Sequence, residues 1–171
     1  MTNNETQCVH QLVGSANSTF GVTSAMFTST AYDSSESDDL VYPVFFSTTN
    51  QQRLGAIAAE LEGGAWCLAF NSGMAAITAT ILSLVKCGDH IIFSKHIYGG
   101  TWRFANEELT ERGVTFSFAD NSLSDLKANV QDNTKLIYLE TPSNPLLSII
   151  DLQEVSKWAR KNNIITIQII Y

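Results

Sequence analysis

Apolar positions along the chain keep one spacing for a stretch and then change it. Between residues 51 and 62, Leu54, Ile57, Ala58 and Leu61 recur at helical intervals, with Asn50 as the expected cap and Gly63-Gly64 as the stop. The apolar run 65–71 predicts a strand. A helix over 73–86 follows, opened by Ser72-Gly73 and continued by Ile77, Ile81, Leu82 and Val85. Gly88-Asp89 turns into a strand at 90–93, a helix over 101–112 ends at Gly113, and a strand covers 114–119. Ser122 caps a helix carrying Leu123, Leu126 and Val130, and the strand 136–140 runs into a Pro-containing loop at 141–145. The last helix, 152–162, lines up Val155, Trp158 and Ala159 before the β-prone end 164–171. Strands and helices alternating through short loops predict an α/β fold: a mostly parallel sheet covered by helices. There is no internal repeat and no G-x-G-x-x-G turn to support a dinucleotide site.

Residues 1–41 break this rhythm. They are rich in Ser, Thr, Asn and Asp and show only scattered anchors at Val9, Val13, Phe20 and Phe27. Residues 1–49 therefore read as an extended arm that frays or lies across a partner, ahead of a folded part at 50–171. Within the arm, Tyr42-Pro43-Val44-Phe45-Phe46 is a brief apolar stretch with Pro setting an extended backbone.

Composition narrows the function classes. With 44% hydrophobic and 16% charged residues, the 171-residue chain matches a folded globular protein. A net charge of −7 leaves no basic stripe for a nucleic-acid backbone, and no apolar run reaches bilayer-spanning length. The first basic residue is Arg53, which argues against a signal or transit peptide; the Asn-x-Thr sequons at Asn4 and Asn17 then carry no meaning. Cys8, Cys67 and Cys87 are odd in number and far apart, as reduced cytoplasmic thiols are, and they do not combine with His10, His90 and His96 into a zinc pattern.

The start of the 73–86 helix is the first candidate for chemistry. A strand entering a helix through Ser-Gly leaves backbone N–H groups of Ser72, Gly73 and Met74 unpaired at the positive end of the helix dipole. Such a turn is either a plain Ser cap or a phosphate seat.

Four segments decide between these readings: Leu61-Glu62-Gly63-Gly64, Phe70-Asn71-Ser72-Gly73-Met74-Ala75-Ala76-Ile77, Tyr98-Gly99-Gly100-Thr101 and Glu140-Thr141-Pro142-Ser143-Asn144-Pro145. In this order, with Asn133-Thr134-Lys135-Leu136 before the last, the chain from about Val9 resembles the Cys/Met-metabolism (transsulfuration) family of pyridoxal-phosphate enzymes. Cystathionine γ-lyase and γ-synthase, methionine γ-lyase and O-acylhomoserine sulfhydrylase are members. The resemblance implies the large domain of the fold-type-I enzymes, incomplete at its C-terminal side. It further implies pyridoxal 5'-phosphate as cofactor, an amino-acid substrate (cystathionine, methionine or a homoserine ester) and a homo-oligomer, tetrameric in the family. By the same resemblance, Gly73 and Met74 donate N–H groups to the cofactor phosphate. Tyr98 stacks on the pyridine ring and handles protons at the leaving group, and Asn144 approaches the phenolic oxygen. Tyr42 matches the Tyr of a Tyr-x-Arg pair that reaches the phosphate of a neighbouring subunit. Gly100, where methionine γ-lyases usually carry Cys, tilts the resemblance toward the cystathionine and sulfhydrylase branches.

Three departures imply an inactive chain. Val44 stands where the family has its phosphate-binding Arg, removing a charge-assisted contact worth about 1.5–3 kcal/mol. Gln168 replaces the Asp that keeps the pyridine nitrogen protonated, and an amide cannot stabilise a pyridinium. None of Lys86, Lys95, Lys127, Lys135, Lys157 or Lys161 sits in the Ser-x-Thr-Lys setting of the family's Schiff-base lysine. The expectation is a truncated, non-catalytic relative, with two rivals: a subunit that docks on a full-length relative, or one half of a split enzyme.

The end of the chain also implies exposed β structure. Ile164-Ile165-Thr166-Ile167-Gln168-Ile169-Ile170 is uncharged and β-prone, and the strand 65–71 is expected to lack its neighbours. A poorly soluble or partner-dependent chain follows, which a sharp monomeric melt would contradict. Gln168-Ile169-Ile170 can be encoded CAG-ATA-ATA, whose shifted frame contains GAT-AAT, Asp-Asn. A one-base slip near codon 168 is therefore expected. Reading the nucleotides from about codon 160 in three frames tests it: the slip requires Asp-Asn-Thr and a later Ser-x-Thr-Lys in a shifted frame.

Overall fold

The computed structural model describes residues 25–32 and 41–170, so Val9, Val13, Phe20, Cys8, His10 and the sequons lie outside the described residues. The chain divides into two units, Met1–Asn71 and Ser72–Tyr171.

In the first unit a 3₁₀ turn, Pro43–Phe45, precedes helix α1, Thr49–Leu61. Its cap is Thr48, not Asn50. The Thr48 hydroxyl accepts from the Gln51 N–H, and the Gln51 side chain accepts from the Thr48 N–H. Asn50 is engaged elsewhere. Its amide brackets Phe27, donating to the Phe27 carbonyl at 2.6 Å and accepting from the Phe27 N–H at 3.1 Å. The Arg53 guanidinium lies 5.9 Å from the centre of the Phe27 ring, a cation–π contact. So the described part of the arm is tied to α1 of its own chain.

The buried face of α1 also differs from the expected one. Gly55 and Ala59 are buried, whereas Leu54 is exposed. Small residues are needed here because a Cβ on Gly55 would come 2.5 Å from the Cys67 carbonyl oxygen. Segment 65–70 therefore runs along α1 and forms no strand, although its composition favours one. Strand formation needs a neighbour to pair with, and propensity alone does not provide it.

In the second unit α2 is Gly73–Leu84, β1 His90–Ser94, and α3 Gly99–Phe104, continued by a π turn Ala105–Leu109. Then come β2 Thr115–Ala119, α4 Leu123–Ala128, β3 Thr134–Glu140, α5 Leu152–Lys161 and β4 Ile165–Ile169. The four strands pair in parallel in the order β2-β1-β3-β4, with β4 at an edge as expected. Crossovers between parallel strands are right-handed, so the direction of travel chooses the covered face. From β1 to β2 the chain moves one way and α3 lies on one face. From β2 to β3 and on to β4 it moves the other way, and α4 and α5 lie on the opposite face.

Two cores follow. Ile77, Ile81, Phe104 and Leu109 pack on Ile91, Phe93, Leu136, Tyr138 and Ile167. Leu126, Val155 and Ala159 pack on Ile92, Ile137 and Leu139. β1 and most of β3 are buried on both faces, which explains their unbroken apolar runs.

His90, fully buried, begins β1, with Nδ1 2.9 Å from the Thr134 hydroxyl and Nε2 3.3 Å from the Gln131 amide nitrogen. Burial pushes its pKa below the ordinary value. The unfolded chain then binds the extra proton first, so stability falls as the pH drops below about 6.5. Denaturant midpoints measured from pH 7.5 to 5 are expected to decline, with a shallower slope in His90→Gln.

Candidate cofactor site

The sheet sets where a ligand can sit. The chain leaves β1 toward α3 on one face, and leaves the adjacent β3 toward α5 on the other. Between two such departures a crevice opens at the carboxyl ends of the strands, the place where α/β sheets bind ligands. The loop after β1 supplies Tyr98, the loop after β3 supplies Asn144, and the N-terminus of α2 supplies Gly73 and Met74.

Ser72 caps α2 as its sequence predicts: its hydroxyl accepts from Ala75 N–H at 3.1 Å, and its carbonyl accepts from Ala76 N–H at 3.1 Å. The N–H groups of Gly73 and Met74 have no hydrogen-bond partner among the described residues. Nothing lies within 4 Å of where a Cβ on Gly73 would be, so these donors face open space. Two free amides at the positive end of a 12-residue helix fit the phosphate of pyridoxal phosphate.

Tyr98 is half exposed and sits at the start of α3. Its N–H donates to Glu140 Oε2 at 2.8 Å. Its ring folds back over Gly100, since a Cβ there would meet Tyr98 Cε1 at 2.6 Å and Met74 Sδ at 3.0 Å. Met74 and Tyr98 are thus brought together across a gap that only Gly leaves.

Behind them stands Glu140, fully buried at the end of β3. Its Oε1 accepts from the Tyr138 hydroxyl at 2.9 Å, with the Thr101 hydroxyl 3.5 Å away. The Thr101 hydroxyl also lies 3.9 Å from Met74 Sδ. Glu140 N–H donates to the Ser94 hydroxyl at 3.2 Å, tying the ends of β1 and β3. Neither Glu140 nor Thr101 was singled out by sequence, though both lie inside the diagnostic segments. The available signal was a carboxylate closing the apolar run Leu136-Ile137-Tyr138-Leu139, since a buried charge needs donors around it.

Asn144 lies exposed in the loop after β3, where Thr141–Pro142 and Asn144–Pro145 are cis peptides. Its side chain has no hydrogen-bond partner among the described residues. Ser143 organises the loop, accepting from Leu147 N–H at 2.8 Å and from Ser148 N–H at 3.0 Å. Ser148 Oγ reaches His96 Nδ1 at 3.1 Å, joining the loops after β1 and β3.

Two residues are not brought to this cluster. Gln168 is exposed and donates to Ser156 of α5 at 2.9 Å, on the sheet face opposite Met74 and Tyr138. Strand alternation gives the Met74 side of β4 to Ile165, Ile167 and Ile169, so β4 offers the cofactor nitrogen no polar group there. Tyr42 belongs to the first unit, half exposed in the 3₁₀ turn, where its N–H donates to Ser47 Oγ at 2.9 Å. Lys95, the lysine nearest the motifs in sequence, is paired with Asp120 at 3.1 Å. The described residues thus fit the phosphate and ring of the cofactor, and contain no group of three or more potential metal ligands.

A profile of the Cys/Met metabolism PLP-dependent enzymes matches residues 5–169. Cystathionine beta-lyase of Lactococcus lactis subsp. cremoris is 36% identical over 170 residues, covering 98% of this chain and 44% of that enzyme. Among solved structures, cystathionine gamma-lyase from Lactobacillus plantarum, complexed with L-serine, superposes with a TM-score of 0.88 at 32% identity, covering 98% of this chain and 44% of that one. An O-acetylhomoserine (thiol)-lyase from Campylobacter jejuni, carrying N'-pyridoxyl-lysine-5'-monophosphate, superposes with a TM-score of 0.84 at 28% identity and the same coverage. The chain spans less than half the length of these relatives, and its fold is that of the fold-type-I pyridoxal-phosphate enzymes. By profile, sequence and fold, the chain belongs to the Cys/Met-metabolism family of PLP-dependent enzymes.

Proposed function

We propose that these 171 residues form the phosphate-holding and ring-stacking side of a pyridoxal-phosphate site in a sulfur-amino-acid lyase or transferase, and that alone they bind cofactor without turnover. The free N–H groups of Gly73 and Met74 at the start of α2 carry this reading. When bound, the cofactor supplies the electron sink for breaking bonds at the substrate carbons next to its amino group. This chain's own residues hold and orient. Gly73 and Met74 fix the phosphate, and Tyr98 offers a ring face for stacking and a phenol for proton transfer. Asn144 offers an amide N–H toward the cofactor's phenolic oxygen. Turnover needs a lysine and a carboxylate that these positions do not provide: Lys95 is engaged by Asp120, and the site face of β4 carries isoleucines.

Pyridoxal phosphate titrated into the purified chain is expected to bind through its phosphate, without a borohydride-fixable link to lysine and without ammonia release from cystathionine. Gly73→Pro removes one donor at the first helical position, where Pro is tolerated and nothing crowds the added ring. Affinity should fall about tenfold, the loss of one charge-assisted hydrogen bond, with an unchanged melting temperature. Equal affinity in the two proteins would remove Gly73 from the site.

Exposed apolar side chains favour a second reading beside the first. Tyr42, Val44 and Phe45 are all more than half exposed around the 3₁₀ turn, as a surface that docks on another subunit would be. Co-expression with a full-length relative is expected to give a mixed oligomer, lost in a Tyr42→Ser/Phe45→Ser variant.

A further inference from the structure

The buried carboxylate of Glu140 has a position that packing alone does not explain. It closes β3 on the face of Phe93 and Tyr138, with no exposed surface. A charge is costly there unless donors surround it. Tyr138 O–H donates to Oε1 at 2.9 Å, the Thr101 hydroxyl stands 3.5 Å from the same oxygen, and Tyr98 N–H donates to Oε2 at 2.8 Å. Of these donors, only Tyr98 comes from a half-exposed residue in the crevice. Gly100 then removes the obstacle on the ring's other side, where a Cβ would meet Tyr98 Cε1 at 2.6 Å. The backbone of Tyr98 is therefore pinned from inside the sheet while its ring is free to lie across Gly100 toward Met74.

We propose that Glu140 is a positioning residue: through the Tyr98 N–H it fixes where the aromatic platform of the cofactor site stands. The proposal rests on the reading of Tyr98 as the stacking ring, and it concerns the ligand-free chain. Glu140 does not reach the crevice itself; it acts through Tyr98. The same carboxylate lies at the amino end of α3, where negative charge also favours the helix. Loss of the charge thus loosens both the platform and the turn that carries it.

The test uses the full chain labelled with 3-fluorotyrosine, the Tyr98 signal being assigned from Tyr98→Phe. Glu140→Met alone strands the Tyr138 hydroxyl, so the informative variant is Tyr138→Phe/Glu140→Met, which replaces both partners by apolar groups of similar shape. Tyr138→Phe alone, which keeps Glu140, should leave the Tyr98 signal in place. The double variant should shift and broaden it, and the Tyr98 amide should lose roughly tenfold in exchange protection. A group that merely fills space would be replaced by Met without effect, so an unmoved signal with unchanged protection in the double variant overturns the proposal. If the double variant does not fold, the parent chain decides. Tyr98 N–H exchanging more slowly than the N–H of Gly99 supports the pin, and equal rates refute it. A separate titration with pyridoxal phosphate reads the site itself: a Tyr98 signal that ignores the cofactor counts against the stacking role and leaves the Glu140 result standing.

Discussion

Right-handed crossover connections constrain everything else in the second unit. Because β1 sends the chain to one face and β3 sends it to the other, the carboxyl ends of these two central strands cannot be covered by their own connections. The gap is a consequence of chirality and strand order, independent of side-chain identity. Side chains then specialise it. α2 contributes free amides, α3 an aromatic ring, and β3 a carboxylate that joins ring and sheet. All are placed by elements whose opposite ends are locked into the Phe93–Tyr138 core, so the floor of the crevice is held by the most buried part of the unit.

Tyr138 does two jobs within this arrangement. Its ring packs 5.3 Å from that of Phe93, which in turn lies 6.0 Å from Phe116 and 5.9 Å from Phe118, while its hydroxyl reaches Glu140. An apolar body with one polar tip suits the boundary between a dry core and a polar site. The order of residues along β3 reproduces this boundary in sequence: Leu136 and Tyr138 toward the core, then Glu140 at the rim.

Sequence made most of the second unit legible because its signals are local. Ser72, Ser122 and the turn at Gly113 fixed element ends to within a residue or two, and burial on both faces explains the unbroken runs in β1 and β3. The site residues near α2 and α3 came from diagnostic segments, and Met74 and Tyr98 do meet across Gly100. What local pattern could not convey was pairing at a distance. Residues 65–70 look like a strand but lie unpaired along α1, Asn50 looks like a cap but serves Phe27, and Leu54 follows helical spacing yet faces outward. Gln168 was read from its neighbours in the chain, whereas its direction is set by strand alternation across the sheet. Glu140 escaped because burial of a charge becomes visible only with its donors in place.

The π turn Ala105–Leu109 interrupts α3 two residues after Arg103 and keeps Phe104, Ala105 and Leu109 all in the core. Such a turn holds one residue more than an α-helix needs. Deleting that residue would restore ideal winding while rotating one half of the helix against the other by about 100°. With Leu109 held in the core, the rotation would carry Thr101 away from Glu140 and Met74 and swing Gly100 out from under the Tyr98 ring. The crevice thus depends on a count of residues in a helix well away from it, and a single-codon deletion there would cost the chain its site while leaving every motif residue in place.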